Sequence, residues 1–232
     1  MPAPHGPRPL ALVTGASRQA SIGAAMPHRS DPADADRLSE QIVACGARTV
    51  AIEADLNLVE TPGRVFDAVE SAIGPLTALV LSHGHSVDSG IIDTTIESFD
   101  RHFAVNARAS WLLVREFGRR FRAARGSGRI VALTSDHVAG NLPYGASKGA
   151  LDRIVLAAAR EFRDLGITAN VVNPGPTDTG WMAAEQIAEL VRHVPGGRVS
   201  RPEDCANLVR FLCSADGGWI NGQLLHSNGG LT

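Results

Sequence analysis

The chain has 232 residues, 44% of them hydrophobic and 20% charged, with a formal net charge of −2. That length suits one α/β domain with a full core, and so even a charge balance argues against nucleic acid or an anionic membrane as partner. No apolar run approaches the ~20 residues of a membrane span, and residues 10–13 are too few for the apolar core of a signal peptide.

In chain order, 10–14 is a short apolar run followed by Gly15-Ala16-Ser17-Arg18-Gln19-Ala20-Ser21-Ile22-Gly23. A strand opening into a glycine-bounded turn and a helix start is how α/β folds hold phosphate, with backbone N–H groups and the positive helix end facing the anion. The loop is not G-x-G-x-x-G, and an ordinary strand–helix turn has the same composition. From Ala24 to Arg37 no strand-like run is visible. Asp31-Pro32 is a helix-entry signal, and a helix is expected over 34–44 with Leu38, Ile42 and Val43 on its apolar face. A strand over 49–52 leads into Glu53-Ala54-Asp55-Leu56. The expected fold therefore has its second strand region shortened or missing.

Beyond this point β and α alternate regularly. A helix is predicted over 62–73, then a strand over 76–81 ending in Ser82-His83-Gly84-His85. A long helix over 99–121 carries Phe103, Ala107, Trp111, Val114, Phe117 and Phe121 on one stripe. A buried strand over 129–134 precedes a helix begun by Pro143, whose missing N–H has no intrahelical partner in a first turn. A strand over 168–172 runs into Asn173-Pro174-Gly175-Pro176-Thr177-Asp178-Thr179, followed by helices over 182–191 and 202–213 and a strand over 223–226. Such alternation predicts a single-domain, Rossmann-like, doubly wound parallel sheet over 1–232, with helices on both faces and ligands gathered beyond the strand ends.

Ser135 ends the strand over 129–134, and Tyr144 and Lys148 are four residues apart on the next helix, so a hydroxyl, a phenol and an ammonium can converge. An adjacent ammonium stabilises phenolate, which lets Tyr144 exchange a proton with an alcohol or carbonyl oxygen while Ser135 bonds the same oxygen. The plainer account has Tyr144 capping an apolar face and Lys148 solvated. Tyr144 is, however, the only tyrosine in the chain.

Gly145-Ala146-Ser147-Lys148-Gly149 also spells G-x-S-x-G, but a nucleophile elbow needs a strand immediately before it, and Asn141-Leu142-Pro143 stands there. His83 and His85 lack an identifiable third ligand, so no metal site is expected. Cys45, Cys205 and Cys213 are odd in number and lack metal-type spacing, which points to a reducing, cytoplasmic setting.

In order and spacing these pieces resemble the short-chain dehydrogenase/reductase family over nearly the whole chain, in particular a divergent glycine-loop subgroup similar to 3-oxoacyl-carrier-protein reductases. The family's glycine loop resembles Thr14-Gly15 through Ile22-Gly23. Its adenine-contacting aspartate resembles Asp55, with Leu56 beside it, and its N-N-A-G tetrad falls on Leu81-Ser82-His83-Gly84, where only the glycine is kept. Its water-holding helix asparagine resembles Asn106, its catalytic set Ser135, Tyr144 and Lys148, and its nicotinamide loop Pro174-Gly175-Pro176-Thr177-Asp178-Thr179.

The resemblance implies an NAD(P)-dependent oxidoreductase. Thr14, Gly15, Ser17, Arg18, Ser21, Ile22, Gly23, Asp55, Leu56, Ser82, Gly84, Pro174, Gly175, Thr177 and Thr179 would hold the cofactor together with Tyr144 and Lys148. Arg18 in the glycine loop favours NADP, since a guanidinium pairs with a 2′-phosphate. The implied partners are a small carbonyl or alcohol, with Trp181, Met182, His85 and Val138 near its pocket, and further copies of the chain in a dimer or tetramer. Against the family pattern, Ser135 to Tyr144 is a short interval, and Ala25 joins Met26 directly where roughly two dozen residues, a helix plus a strand, are expected. That junction also allows an alternative, a non-catalytic binding or scaffold protein with a damaged adenosine pocket.

Overall fold

The computed structural model describes residues 10–15, 24–28, 32–179 and 182–231. Short apolar runs form the sheet. β1 (Ala11–Thr14) and β4 (Ala78–Leu81) are buried along their whole length, as strands covered by helices on both faces must be. With β2 (Ala24–His28), β3 (Val50–Glu53), β5 (Gly128–Leu133), β6 (Ile167–Asn173) and β7 (Leu224–His226) they make a seven-stranded sheet in the order β3-β2-β1-β4-β5-β6-β7. All six pairings are parallel. The order reverses between β1 and β4, which opens a crevice beyond their carboxyl ends.

Side chains alternate across this sheet and divide the core in two. Leu12, Leu79, Leu81 and Ile130 face α2 (Thr61–Ile73), α4 (Ala109–Arg120) and α5 (Leu142–Glu161), packing with Phe66, Val69, Leu113, Phe117, Leu151 and Val155. Ala11, Val13, Val80 and Val131 face α1 (Pro32–Ala44) and α7 (Pro202–Cys213), packing with Leu38, Ile42, Cys205, Val209 and Leu212. The remaining helices are α3 (Ile96–His102) and α6 (Ala184–Val191). Among the described residues no helix is long and apolar enough to cross a membrane.

Two expectations are corrected. The second strand is present: β2 pairs through Ala24 and Ala25 with β1, and through Ala25 to His28 with β3. Its sequence, Ala-Ala-Met-Pro-His, lacks β-branched residues, and proline normally argues against a central strand. The short pairing with β1 leaves Pro27 outside that ladder. Only nine residues separate Thr14 from Ala24, where parallel strands ordinarily need a connection of a dozen or more. The long helix expected over 99–121 is three pieces: α3, a π-helical turn over Phe103–Arg108, and α4. That wider turn presents Asn106 to the site.

Candidate active site

The site lies where β4, β5 and β6 end. Lys148, on the sheet-facing side of α5, is 3% exposed. Its ammonium donates to the carbonyls of Leu133, at 2.9 Å, and His83, at 3.2 Å, so two strand ends hold it. Burial lowers its pKa from an ordinary 10.5 to about 8, against an upward pull from Asp152. It is also the only lysine in the chain.

Tyr144, one turn earlier, is half-buried, with the Lys148 Nζ 5.7 Å from its ring centroid. Gly84 faces both residues. A Cβ there would lie 3.7 Å from Lys148 Cε and Nζ and 3.8 Å from Tyr144 Cε2, so the backbone at this point is left bare toward the pair. The sequence predicts that Lys148 lowers the phenol pKa, whereas burial of the side chain raises it. The ammonium, bonded to two carbonyls, does not outweigh that desolvation. Ser135 is half-buried at the end of β5, where its Oγ accepts the His137 N–H at 3.2 Å. The short loop from Ser135 to Tyr144 closes on α5 at Gly145, where any Cβ would fall on the His137 carbonyl oxygen.

Asn106, which the resemblance implied as a water holder, spends its side-chain amide on partners within the protein. Its Oδ1 accepts the His85 N–H at 2.7 Å, and its Nδ2 donates to the His85 carbonyl at 2.9 Å and to Ser147 Oγ at 2.8 Å. Ser147 Oγ in turn donates to the Tyr144 carbonyl at 2.8 Å. The side-chain amide thus staples the loop after β4 to the helix that bears Tyr144. Ser147 is 0% exposed and committed to these bonds, which disposes of the nucleophile reading of G-x-S-x-G.

Several residues expected at the cofactor have partners within the protein. Thr14 is 0% exposed, and its hydroxyl bonds His83 Nδ1 at 2.6 Å and accepts the Ser82 N–H at 3.1 Å, so it faces inward. Leu56 packs in the main core. Asp55 Oδ1 accepts the Asn57 N–H at 3.0 Å within its loop. Gly15 has φ +72°, and an added Cβ would lie 2.8 Å from the His83 Cα and N, so close approach requires glycine there. Gly175 has φ +62° and lies against Asn228, and its N–H donates to Asn173 Oδ1 at 3.0 Å. Thr177 Oγ1 donates to the Gly175 carbonyl at 3.3 Å, and Thr179 is exposed. Ser17, Arg18, Ser21, Ile22, Gly23 and Trp181 lie outside the described residues.

Sequence reasoning missed the roles of three residues. His83 is a buried strut: Nε2 donates to the Val105 carbonyl at 3.0 Å, with Ser110 Oγ at 3.2 Å, which leaves Nδ1 to accept from Thr14. Asn141 donates to Ser86 Oγ at 2.8 Å and Asp88 Oδ1 at 2.6 Å, tying the loop after β4 to the start of α5. His102 is fully buried and accepts the Val87 N–H at 3.0 Å, further fixing that loop. His83 was visible in the sequence only as a candidate metal ligand lacking a third partner. Asn141 and His102 offered no signal, because their partners are distant in sequence.

Burial, with the Lys148 charge adding to it, pushes His83 down to about 3. Its folded pKa therefore lies below its unfolded one, so its stabilisation is present above ~6.5 and lost as pH falls toward 3. Thermal melts from pH 7 to 4 should show a shallower loss of stability in His83→Gln than in the wild type. Equal slopes would contradict this neutral-strut assignment.

A family described as enoyl-(acyl carrier protein) reductase matches residues 15–232. An uncharacterized oxidoreductase YjdA of Bacillus subtilis is 35% identical, over 97% of this chain and 98% of that one. An NADPH-dependent aldehyde reductase-like chloroplastic protein of Arabidopsis thaliana is also 35% identical, over 95% of this chain and 93% of its own. Angucycline C-6 ketoreductase LanV with bound NADP superposes with a TM-score of 0.86 at 30% identity, covering 96% of this chain and 95% of that one. These likenesses define the class, an oxidoreductase on a Rossmann-type sheet. The chain belongs to the short-chain dehydrogenase/reductase family. The alignment with the Bacillus protein spans 245 positions, more than the 232 residues of this chain, so it includes positions that only the relative fills.

Proposed function

We propose that this protein is an NADP(H)-dependent reductase or dehydrogenase acting on a small carbonyl compound or the corresponding secondary alcohol. The observation that carries this reading is the meeting of Tyr144, Lys148 and the bare backbone of Gly84 beyond the strand ends at the switch point. A nicotinamide fits the chemistry of that corner. Gly84 leaves room beside the pair, Gly175 turns the loop after β6 in a left-handed conformation, and the ammonium, with two N–H groups committed to carbonyls, has a third for a ribose hydroxyl.

When bound, the nicotinamide supplies or accepts the hydride. Tyr144 gives its phenolic proton to the carbonyl oxygen, or takes one from the alcohol in the reverse direction. Ser135 donates a hydrogen bond to the same oxygen and orients it. Lys148 places a positive charge at the ring of Tyr144, which favours the phenolate left after proton donation. Asn106 and Ser147 keep the backbone of Tyr144 in register with the loop that carries His85. NADP rather than NAD is favoured by Arg18 in the glycine loop and by the NADP-binding relatives.

A second reading has one observation behind it. The nine residues between Thr14 and Ala24 are fewer than the dozen or more that a crossover between parallel strands ordinarily takes, and a scaffold with a weakened adenosine pocket fits that. Titration of NADPH and NADH against tryptophan fluorescence, with a screen of aldehydes and ketones, separates the two. Saturable and tighter binding of NADPH with turnover is expected, and failure to bind either nucleotide would favour the scaffold.

A further inference from the structure

We infer that Asp152 is a positioning residue for this site: one turn beyond Lys148 on the same face of α5, its carboxylate is the counter-charge that keeps the ammonium at the two strand-end carbonyls. The inference rests on the proposed function only for its consequence in turnover.

Lys148 is buried, and among the described residues no carboxylate forms an ion pair with it. Its hydrogen bonds go to the carbonyls of Leu133 and His83, which carry partial charge only. A buried ammonium without an opposing charge loses its proton readily. The groups around it are few. From the loop after β4 comes His83, whose ring is spent on Thr14, Val105 and Ser110. Just past β5 comes Thr134, whose hydroxyl donates to the Lys148 carbonyl at 3.4 Å. The π turn offers uncharged Asn106, and α5 itself offers the Tyr144 ring, Asp152 and Arg153.

Asp152 is thus the one anion acting on Lys148 among these groups, and the pull between them is mutual. Its Oδ1 is buried without a hydrogen-bond partner, a costly arrangement that an electrostatic task would explain. Removing the charge should let Lys148 deprotonate at lower pH, closer to neutrality.

Because Lys148 is the only lysine, 13C- or 15N-lysine labelling gives one side-chain resonance to titrate. In Asp152→Asn its midpoint should fall by about one pH unit, and Asp152→Glu, which keeps the charge, should restore it. The alkaline limb of kcat/KM should move with it. Asp152→Ser removes the same charge and serves if the asparagine variant folds poorly. A lysine titration equal to wild type in either folded neutral variant would overturn the inference. The titration needs neither cofactor nor substrate, so a chain that reduced no carbonyl would defeat the functional proposal and leave this test standing.

Discussion

Tyr144→Phe should lower kcat for carbonyl reduction by roughly 10²–10⁴-fold, the range supplied by one positioned general acid. NADPH binding should change little, because the phenolic oxygen is the only group removed. The ring is half-buried against Lys148 and Gly84, and phenylalanine fills the same volume. The effect should therefore fall on turnover more than on KM, the pattern of an interaction made in the transition state. NADPH oxidation followed by absorbance, with any ketone the wild type reduces, gives the comparison. Near-wild-type turnover would remove Tyr144 from the chemistry.

Lys148→Met should abolish turnover to a similar degree and also change how stability depends on pH. The wild-type amine titrates near 10.5 when unfolded and about 8 when folded. Between those values the unfolded chain holds a proton that the folded one has lost, so Lys148 makes stability rise with pH across that window. The difference corresponds to on the order of 3 kcal/mol. Cys205 and Cys213 act the other way, since burial raises both thiols above their unfolded values. Those terms are common to wild type and variant and cancel in the comparison. Urea titrations from pH 7 to 10 should show wild-type stability gaining on Lys148→Met, and a constant gap would contradict the buried-ammonium account.

How much of this was legible in the sequence depended on whether the signal was local. Strands such as β4 and β5 announce themselves as unbroken apolar runs because both their faces are covered, and Pro202 and Pro143 mark helix starts by their missing N–H. The Tyr144–Lys148 spacing fixes a shared helix face without reference to any other element. β2 was hidden, since its Ala-Ala-Met-Pro-His sequence has little strand propensity and its place comes from pairing with β3. The break of the long helix at Phe103–Arg108 was equally silent, because a π turn keeps helical composition.

At the site, residue types were readable but their employment was not. Asn106 and Thr14 looked like groups for water and cofactor, and Ser147 belonged to a nucleophile motif that its flanking residues argued against. Each is buried and bonded to a partner tens of residues away, with Ser147 bonded to Tyr144 as well. His83 stands where family resemblance led us to expect a small residue, and its imidazole ties the end of β1 to the π turn. Such contacts are set by topology, and no window of sequence contains both partners.

The central claim is that the Tyr144 hydroxyl shares a cleft with the nicotinamide, and the presence of a single tyrosine makes it directly observable. Protein labelled with 13Cζ-tyrosine should give one resonance that moves saturably as NADP+ is added, in step with the change in tryptophan fluorescence. A tyrosine signal unmoved while fluorescence reports saturation would place the phenol away from the cofactor and contradict the account.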